Sequence, residues 1–389
     1  MTTVLNRRTL LKAAGAAAAT APLARVAFAS PATDSRLVVV VLRGGMDGLA
    51  AVPAYGDPHY ESARAGIALP RDGVLPLDAT FALNPNLPSL AALFREQALL
   101  PIHATCVAYH GRSHFEAQNV LENGSAVPYL LKSGWLNRAL AALPNQTGEV
   151  GIAIAQTMPV IMRGDTPVTS WFPSVLPQPN ADTLARIAAM YETDAKLRAA
   201  LEHARSAHGM AADADGGAQF AALMQAAGGF LGRSEGPRIA MIESGGWDTH
   251  ANQSASYGAL SRNLKELDRG VVALRTALGA SWRQTAVLVM TEFGRTVAMN
   301  GTSGTDHGTG GAAFLFGGAV AGGRVLADWP GLAPSDLLEG RDLKPTTDLR
   351  GVMKGVLADH LRVPDIHLEG VVFPDSKNVT AVTGLIRPA

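Results

Sequence analysis

The sequence predicts an α/β fold, a mainly parallel sheet with helices on both faces, and three observations carry that prediction. Short runs rich in Val, Ile and Leu alternate with longer stretches of helical period. The apolar runs are nearly continuous, as strands buried on both faces require. Each run ends near glycine or a polar cluster, where a chain leaving a sheet must turn.

Taken in order, strands are expected at 37–43, 99–106, 151–155, 238–243, 285–291 and 313–317. Helices are expected at 88–97, 114–123, 134–143, 181–207, 218–231, 256–278 and 348–361, each with apolar residues at helical spacing. The segment 158–179 is rich in proline and reads as a loop or cap over the sheet; 207–217 is small and polar and reads as an inter-helix connection. Residues 30–389 are expected to form a single domain with a helical or cap insertion at about 160–235.

Ahead of that domain, Arg7, Arg8 and Lys12 precede a weakly apolar, Ala-rich run, and Ala27-Phe28-Ala29 has the small-x-small pattern of a cleavage site. Residues 1–29 therefore read as a twin-arginine signal peptide, and the expected destination is the periplasm or the exterior. The remaining chain keeps 29 of the 33 basic groups against all 33 acidic ones, because Arg7, Arg8, Lys12 and Arg25 lie in the leader. A mildly acidic chain without Lys/Arg runs offers no footprint for nucleic acid. No later segment reaches the ~18 apolar residues of a membrane span. The single cysteine, Cys106, excludes an internal disulfide; a route that exports proteins already folded in the cytoplasm, often with a metal inside, accounts for that.

In an open parallel sheet, ligands bind beyond the carboxyl ends of the strands. The residues there are Arg43-Gly44-Gly45-Met46-Asp47-Gly48, His110-Gly111-Arg112-Ser113-His114, Glu243-Ser244-Gly245-Gly246-Trp247-Asp248-Thr249-His250 and Glu292-Phe293-Gly294-Arg295, with Thr305-Asp306-His307-Gly308 before the last strand. Carboxylate oxygen and imidazole nitrogen are the ligand set of zinc, manganese or magnesium. Asp47, Glu243, Asp248, His250, Glu292, Asp306 and His307 are thus the candidate metal ligands. Each has a plainer reading: a turn carboxylate for Asp47, a helix cap for Asp248, a partner of Arg295 for Glu292, a surface loop for Asp306-His307.

These blocks resemble the signatures of domain-of-unknown-function family 1501, exported proteins often labelled sulfatase-like. The resemblance spans about 36–380 and is carried by 241–250, Thr291–Thr296, Gly304–Gly308, Arg43–Gly48 and 110–118. That family is in turn distantly similar to the alkaline phosphatase superfamily, which implies an alkaline-phosphatase-like fold and hydrolysis of phosphate or sulfate esters at one or two metals. The resemblance matches Asp47, Ser113, Glu243 with Asp248 and His250, Glu292, and His307 to that superfamily's order of groups. Two departures stand out: Glu292-Phe293 replaces an Asp-His pair, and Ala312-Ala313 occupies a place where a polar residue is frequent.

The expected function is metal-dependent hydrolysis of a small anionic ester, with Ser113 as nucleophile at a helix start and Arg112 as a neighbouring cation. The plainer reading of Ser113 is an N-cap in a capping box with Glu116. The alternative function is a non-catalytic binding or assembly protein with a structural metal or none. A phosphate loop is missing. Gly308–Ala313 precedes a strand, which disqualifies it as a dinucleotide fingerprint. Cys106 lacks the following proline and arginine needed to become a formylglycine.

Overall fold

The computed structural model describes residues 34–143, 150–173, 181–194, 197–198, 201–202, 219–234, 236–254 and 257–388. The leader expected at 1–29 lies outside the described residues, as do 207–217 and much of 174–206.

One eight-stranded sheet organises the fold. Its strands are β1 (Arg36–Leu42), β2 (Leu99–Cys106), β3 (Gly151–Ile154), β4 (Thr169–Trp171), β5 (Ile239–Ser244), β6 (Thr285–Thr291), β7 (Gly311–Phe316) and β8 (Thr347–Asp348). They lie side by side in the order β8-β2-β7-β6-β1-β5-β3-β4. Within this sheet every pairing is parallel except those of β7, which runs against both β2 and β6. Among the described residues, the helices of eight or more residues are α1 (Pro88–Arg95), α2 (His114–Asn123), α3 (Trp135–Ala142), α4 (Ala181–Met190), α5 (Phe220–Leu231), α6 (Ala259–Leu278) and α7 (Leu349–Leu361).

The unbroken apolar run of β1 follows from its position between β6 and β5. Val38, Val40 and Leu42 pack into one core with Leu90, Phe230 and Leu264, from α1, α5 and α6. Leu37, Val39 and Val41 face the opposite core, with Leu121, Leu136 and Val352 from α2, α3 and α7. Side chains alternate across a strand, so a sheet covered on both faces needs apolar residues at every position. The described parts of 160–235 add an edge strand, β4, and a core helix, α5, whose Met224 and Phe230 are fully buried. No helix among the described residues is long and apolar enough to cross a membrane.

His103 sits in β2 with no exposed surface. Its Nε2 donates to the Val52 carbonyl at 2.9 Å and its Nδ1 accepts from the Ala104 N–H at 2.9 Å. Both nitrogens are satisfied only while the ring is neutral. Burial, outweighing the bond to Val52, lowers its pKa to about 4, and burial does the same for His360. The unfolded chain takes up protons at these sites below 6.5, whereas the folded chain refuses them until about 4. Their contribution is therefore complete above pH 6.5 and is lost as pH falls toward 4, by roughly 3 kcal/mol per histidine. Denaturant midpoints measured across that window should fall, and His103→Gln should flatten the decline. An identical pH profile in the variant would remove His103 from this account.

Candidate metal centre

All five chemistry-bearing segments meet at one edge of the sheet. Four follow the carboxyl ends of parallel strands. The fifth, Asp306-His307, precedes β7, and because β7 is antiparallel its start lies at that same edge. The turns there are tight. Gly44 has φ +123°, and a Cβ on it would stand 2.3 Å from the Asp248 amide nitrogen. The room that glycine leaves is filled by the Asp248 backbone, which brings the loops after β1 and β5 into contact.

The centre is built around the Asp248 carboxylate. Its Oδ1 accepts from Arg295 at 2.6 Å and lies 3.0 Å from His250 Nε2 and 3.2 Å from His307 Nε2. Its Oδ2 lies 3.3 Å from His114 Nε2. One ligand atom from each of His114, Asp248 and His307 lies within 4.8 Å of the other two. His250 joins from its own side, with Nε2 3.0 Å from His307 Nε2. The His114 and His307 rings pack at 4.3 Å, and Phe293 packs on both.

The second ring nitrogen of each histidine faces an oxygen acceptor. His114 Nδ1 lies 2.8 Å from Glu292 Oε1, His250 Nδ1 lies 3.2 Å from Asp306 Oδ1, and His307 Nδ1 lies 2.9 Å from the Arg112 carbonyl. A carbonyl or carboxylate can only accept; where Nδ1 donates to it, the Nε2 of a neutral ring presents a lone pair. Those lone pairs converge on the Asp248 carboxylate, itself an acceptor, and the buried His114 Nε2 has no hydrogen-bond partner. This pattern, imidazoles whose other nitrogen is fixed by a carboxylate or carbonyl, is the one that metal-binding histidines show. Ligand atoms around a tetrahedral zinc stand about 3.3 Å apart at ordinary bond lengths, close to the 3.2 and 3.3 Å that separate Asp248 from His307 and His114. The donor set fits a divalent cation.

Electrostatics agree with that fit. Burial alone would raise the Asp248 pKa, but the Arg295 bond and charge outweigh it and hold it below the carboxylate range. Burial likewise works against Glu292, and the bonds from His114, Gln118 and the Gly44 N–H overcome it. The Glu292 bond raises the His114 pKa against burial, whereas burial lowers that of His307. The face is open: the Asp248 and His250 side chains are 40% and 44% exposed.

Of the residues expected from sequence, Asp248, His250, Asp306 and His307 come together here. Glu292 stands behind His114, with no side-chain exposure, and bonds Gly44 N, Gln118 and His114 at 2.8 Å instead of Arg295. Asp47 is buried, caps the helical turn Gly48–Ala51, and pairs with Arg64 at 2.7 Å and Gln253 at 2.5 Å. Gln253 in turn meets Thr249 and Thr305, and Thr305 meets Arg295, so Asp47 reaches Asp248 only through a chain of bonds. Glu243 pairs with Arg43, which also holds Glu122 at 2.9 Å. Arg112 is matched by Asp342 and Glu339. Ser113 is the N-cap of α2, yet its side chain caps no backbone N–H; it stands beside the Glu116 carboxylate, whose pKa Tyr109 and Ser113 lower. His114, Gln118 and Arg295 complete the arrangement and were not among the sequence candidates. The signal for His114 was its place at a helix start just beyond a strand's carboxyl end.

The model of the family described as "Protein of unknown function (DUF1501)" matches residues 88–372, a narrower span than 36–380, with the Arg43–Gly48 block outside it. Among solved structures, the chain is similar to the C-terminal periplasmic domain of EcEptC from Escherichia coli in complex with Zn, at 12% identity and TM-score 0.34, over 74% of this chain and 73% of that one. It is similar to the alkaline phosphatase of the Antarctic bacterium TAB5 at 12% identity and TM-score 0.35, over 75% and 94%. A putative sulfatase from Bacteroides thetaiotaomicron aligns at 9% identity and TM-score 0.36, over 89% and 73%. No curated protein matches the chain in sequence.

Proposed function

This chain belongs to the DUF1501 family, and from that premise we propose that it is an exported metal-dependent hydrolase of phosphate, sulfate or related esters. The observation that carries the proposal is the convergence of three imidazole Nε2 atoms on one half-exposed carboxylate. His114, Asp248 and His307 would hold the cation, with His250 beside Asp248 and His307, and zinc, manganese and magnesium are its candidates. Bound there, it would supply Lewis-acid charge for the oxygens of an anionic ester.

The chain's own residues do the rest. Glu292 and the Arg112 carbonyl fix the orientations of His114 and His307. Arg295 keeps Asp248 ionised and in place. Ser113, between two residues that serve the centre, offers a hydroxyl at the first turn of α2, where the N–H groups of the helix end favour an anionic oxygen. The openness of Asp248 and His250 leaves a face for substrate, which a purely structural site would close.

Purified protein should contain metal and hydrolyse aryl phosphate or aryl sulfate esters. Dialysis against a chelator should abolish turnover, and one of the three candidate ions should restore it. Metal binding without turnover across a broad ester panel would replace the hydrolase reading with that of a binding or assembly protein. A protein that takes up none of the three ions would overturn the metal centre itself.

A further inference from the structure

Arg112 has φ +58°, a left-handed conformation that costs a non-glycine residue energy. The strain has a local counterweight. The guanidinium Nε donates to Asp342 Oδ2 at 2.8 Å, and Nη2 lies 2.8 Å from that same oxygen. Asp342 has no exposed surface and also accepts from Thr309 at 2.9 Å and Arg341 at 3.0 Å. Arg341 in turn donates to the His307 carbonyl at 2.9 Å. Asp342 therefore ties together the two segments that meet at His307. In this conformation the Arg112 carbonyl accepts from His307 Nδ1 at 2.9 Å.

We propose that Asp342 and Arg112 are positioning residues: their ion pair holds residue 112 in the left-handed conformation, which aims its carbonyl at His307 and fixes the tautomer that turns Nε2 toward Asp248. The role of Arg112 is thus carried by its backbone, and its charge is matched by Asp342 and Glu339 and not by substrate. This inference rests on the metal-centre reading for its consequence, which is tighter metal binding. The bond between His307 Nδ1 and the Arg112 carbonyl does not involve the metal.

Two measurements test it. Nitrogen-15 spectra of histidine-labelled, metal-free protein, with His307 assigned through His307→Gln, should show the Nδ1–H tautomer in the wild type. Arg112→Ala should admit the Nε2–H tautomer and weaken zinc binding by about 10–100-fold, the usual cost of losing a group that orients a ligand. Arg112→Asn should recover most of that loss, because asparagine tolerates the left-handed region without restoring the guanidinium. Asp342→Asn should resemble Arg112→Ala; if that buried variant does not fold, the two Arg112 variants still decide. Wild-type tautomer and affinity in Arg112→Ala would overturn the proposal, and so would an Arg112→Asn as weak as the alanine. A wild type that binds no zinc, manganese or magnesium would sink the metal reading, while the metal-free tautomer spectra would still judge this one.

Discussion

Asp248→Asn is expected to empty the metal centre and abolish ester hydrolysis together, while leaving the chain folded. The carboxylate is the hub of the site: all three imidazole Nε2 atoms lie 3.0–3.3 Å from its oxygens. An amide removes the negative charge and offers one acceptor in place of two. The fall in metal affinity should exceed the about 10–100-fold caused by changes one step further out. Asparagine keeps an oxygen for Arg295, whose side chain is fully buried. Asp248→Ala would leave that guanidinium without its carboxylate partner. Its stability loss should still fall short of the about 3–5 kcal/mol of a fully buried pair, because Asp248 is partly exposed and Arg295 keeps its bonds to Thr305. Elemental analysis, turnover and a denaturation curve on the same preparations check all three statements. Full metal content in a folded Asp248→Asn would mean that the three histidines suffice and that Asp248 is only the partner of Arg295.

The parts of this site that sequence reasoning reached are those set by topology. Strands rich in branched apolar residues are recognisable because both faces of the sheet are covered, so six of the eight were legible, among them β2 and β6 with their ends as observed. The two missed, β4 and β8, are three and two residues long, too short to show a pattern. Knowing the strand ends also locates Asp248, His250, Asp306 and His307. Pairings across the fold were not legible. Arg295 lies three residues beyond Glu292 in sequence, yet the chain turns after β6 and carries it to Asp248. Asp47 follows its strand as a ligand would, but Arg64, with no exposed surface, claims its carboxylate. His114 was overlooked because a histidine at a helix start looks the same whether it faces water, as the exposed neighbour His110 does, or faces a carboxylate across the sheet edge.

Ser113→Ala is expected to lower ester hydrolysis by several orders of magnitude while metal content and stability stay near wild type. The contrast follows from what its hydroxyl does not hold. A serine that caps a helix through its side chain contributes typically about 1 kcal/mol, but the Ser113 hydroxyl caps no backbone N–H of α2 and stands beside the solvent-facing Glu116. Its removal therefore leaves the helix start as it was. The neighbouring residues hold the centre through groups that the substitution does not touch: His114 through its ring and Arg112 through its carbonyl. Turnover is the quantity that depends on the hydroxyl, since without it no covalent intermediate can form on the enzyme and kcat should fall far more than KM. Rapid mixing with an aryl ester adds a second readout, an initial burst of phenolate in the wild type that the variant lacks, provided breakdown of the intermediate is the slow step. Wild-type turnover in a folded, metal-loaded Ser113→Ala would exclude Ser113 as the nucleophile and point to water attacking the ester directly at the same centre.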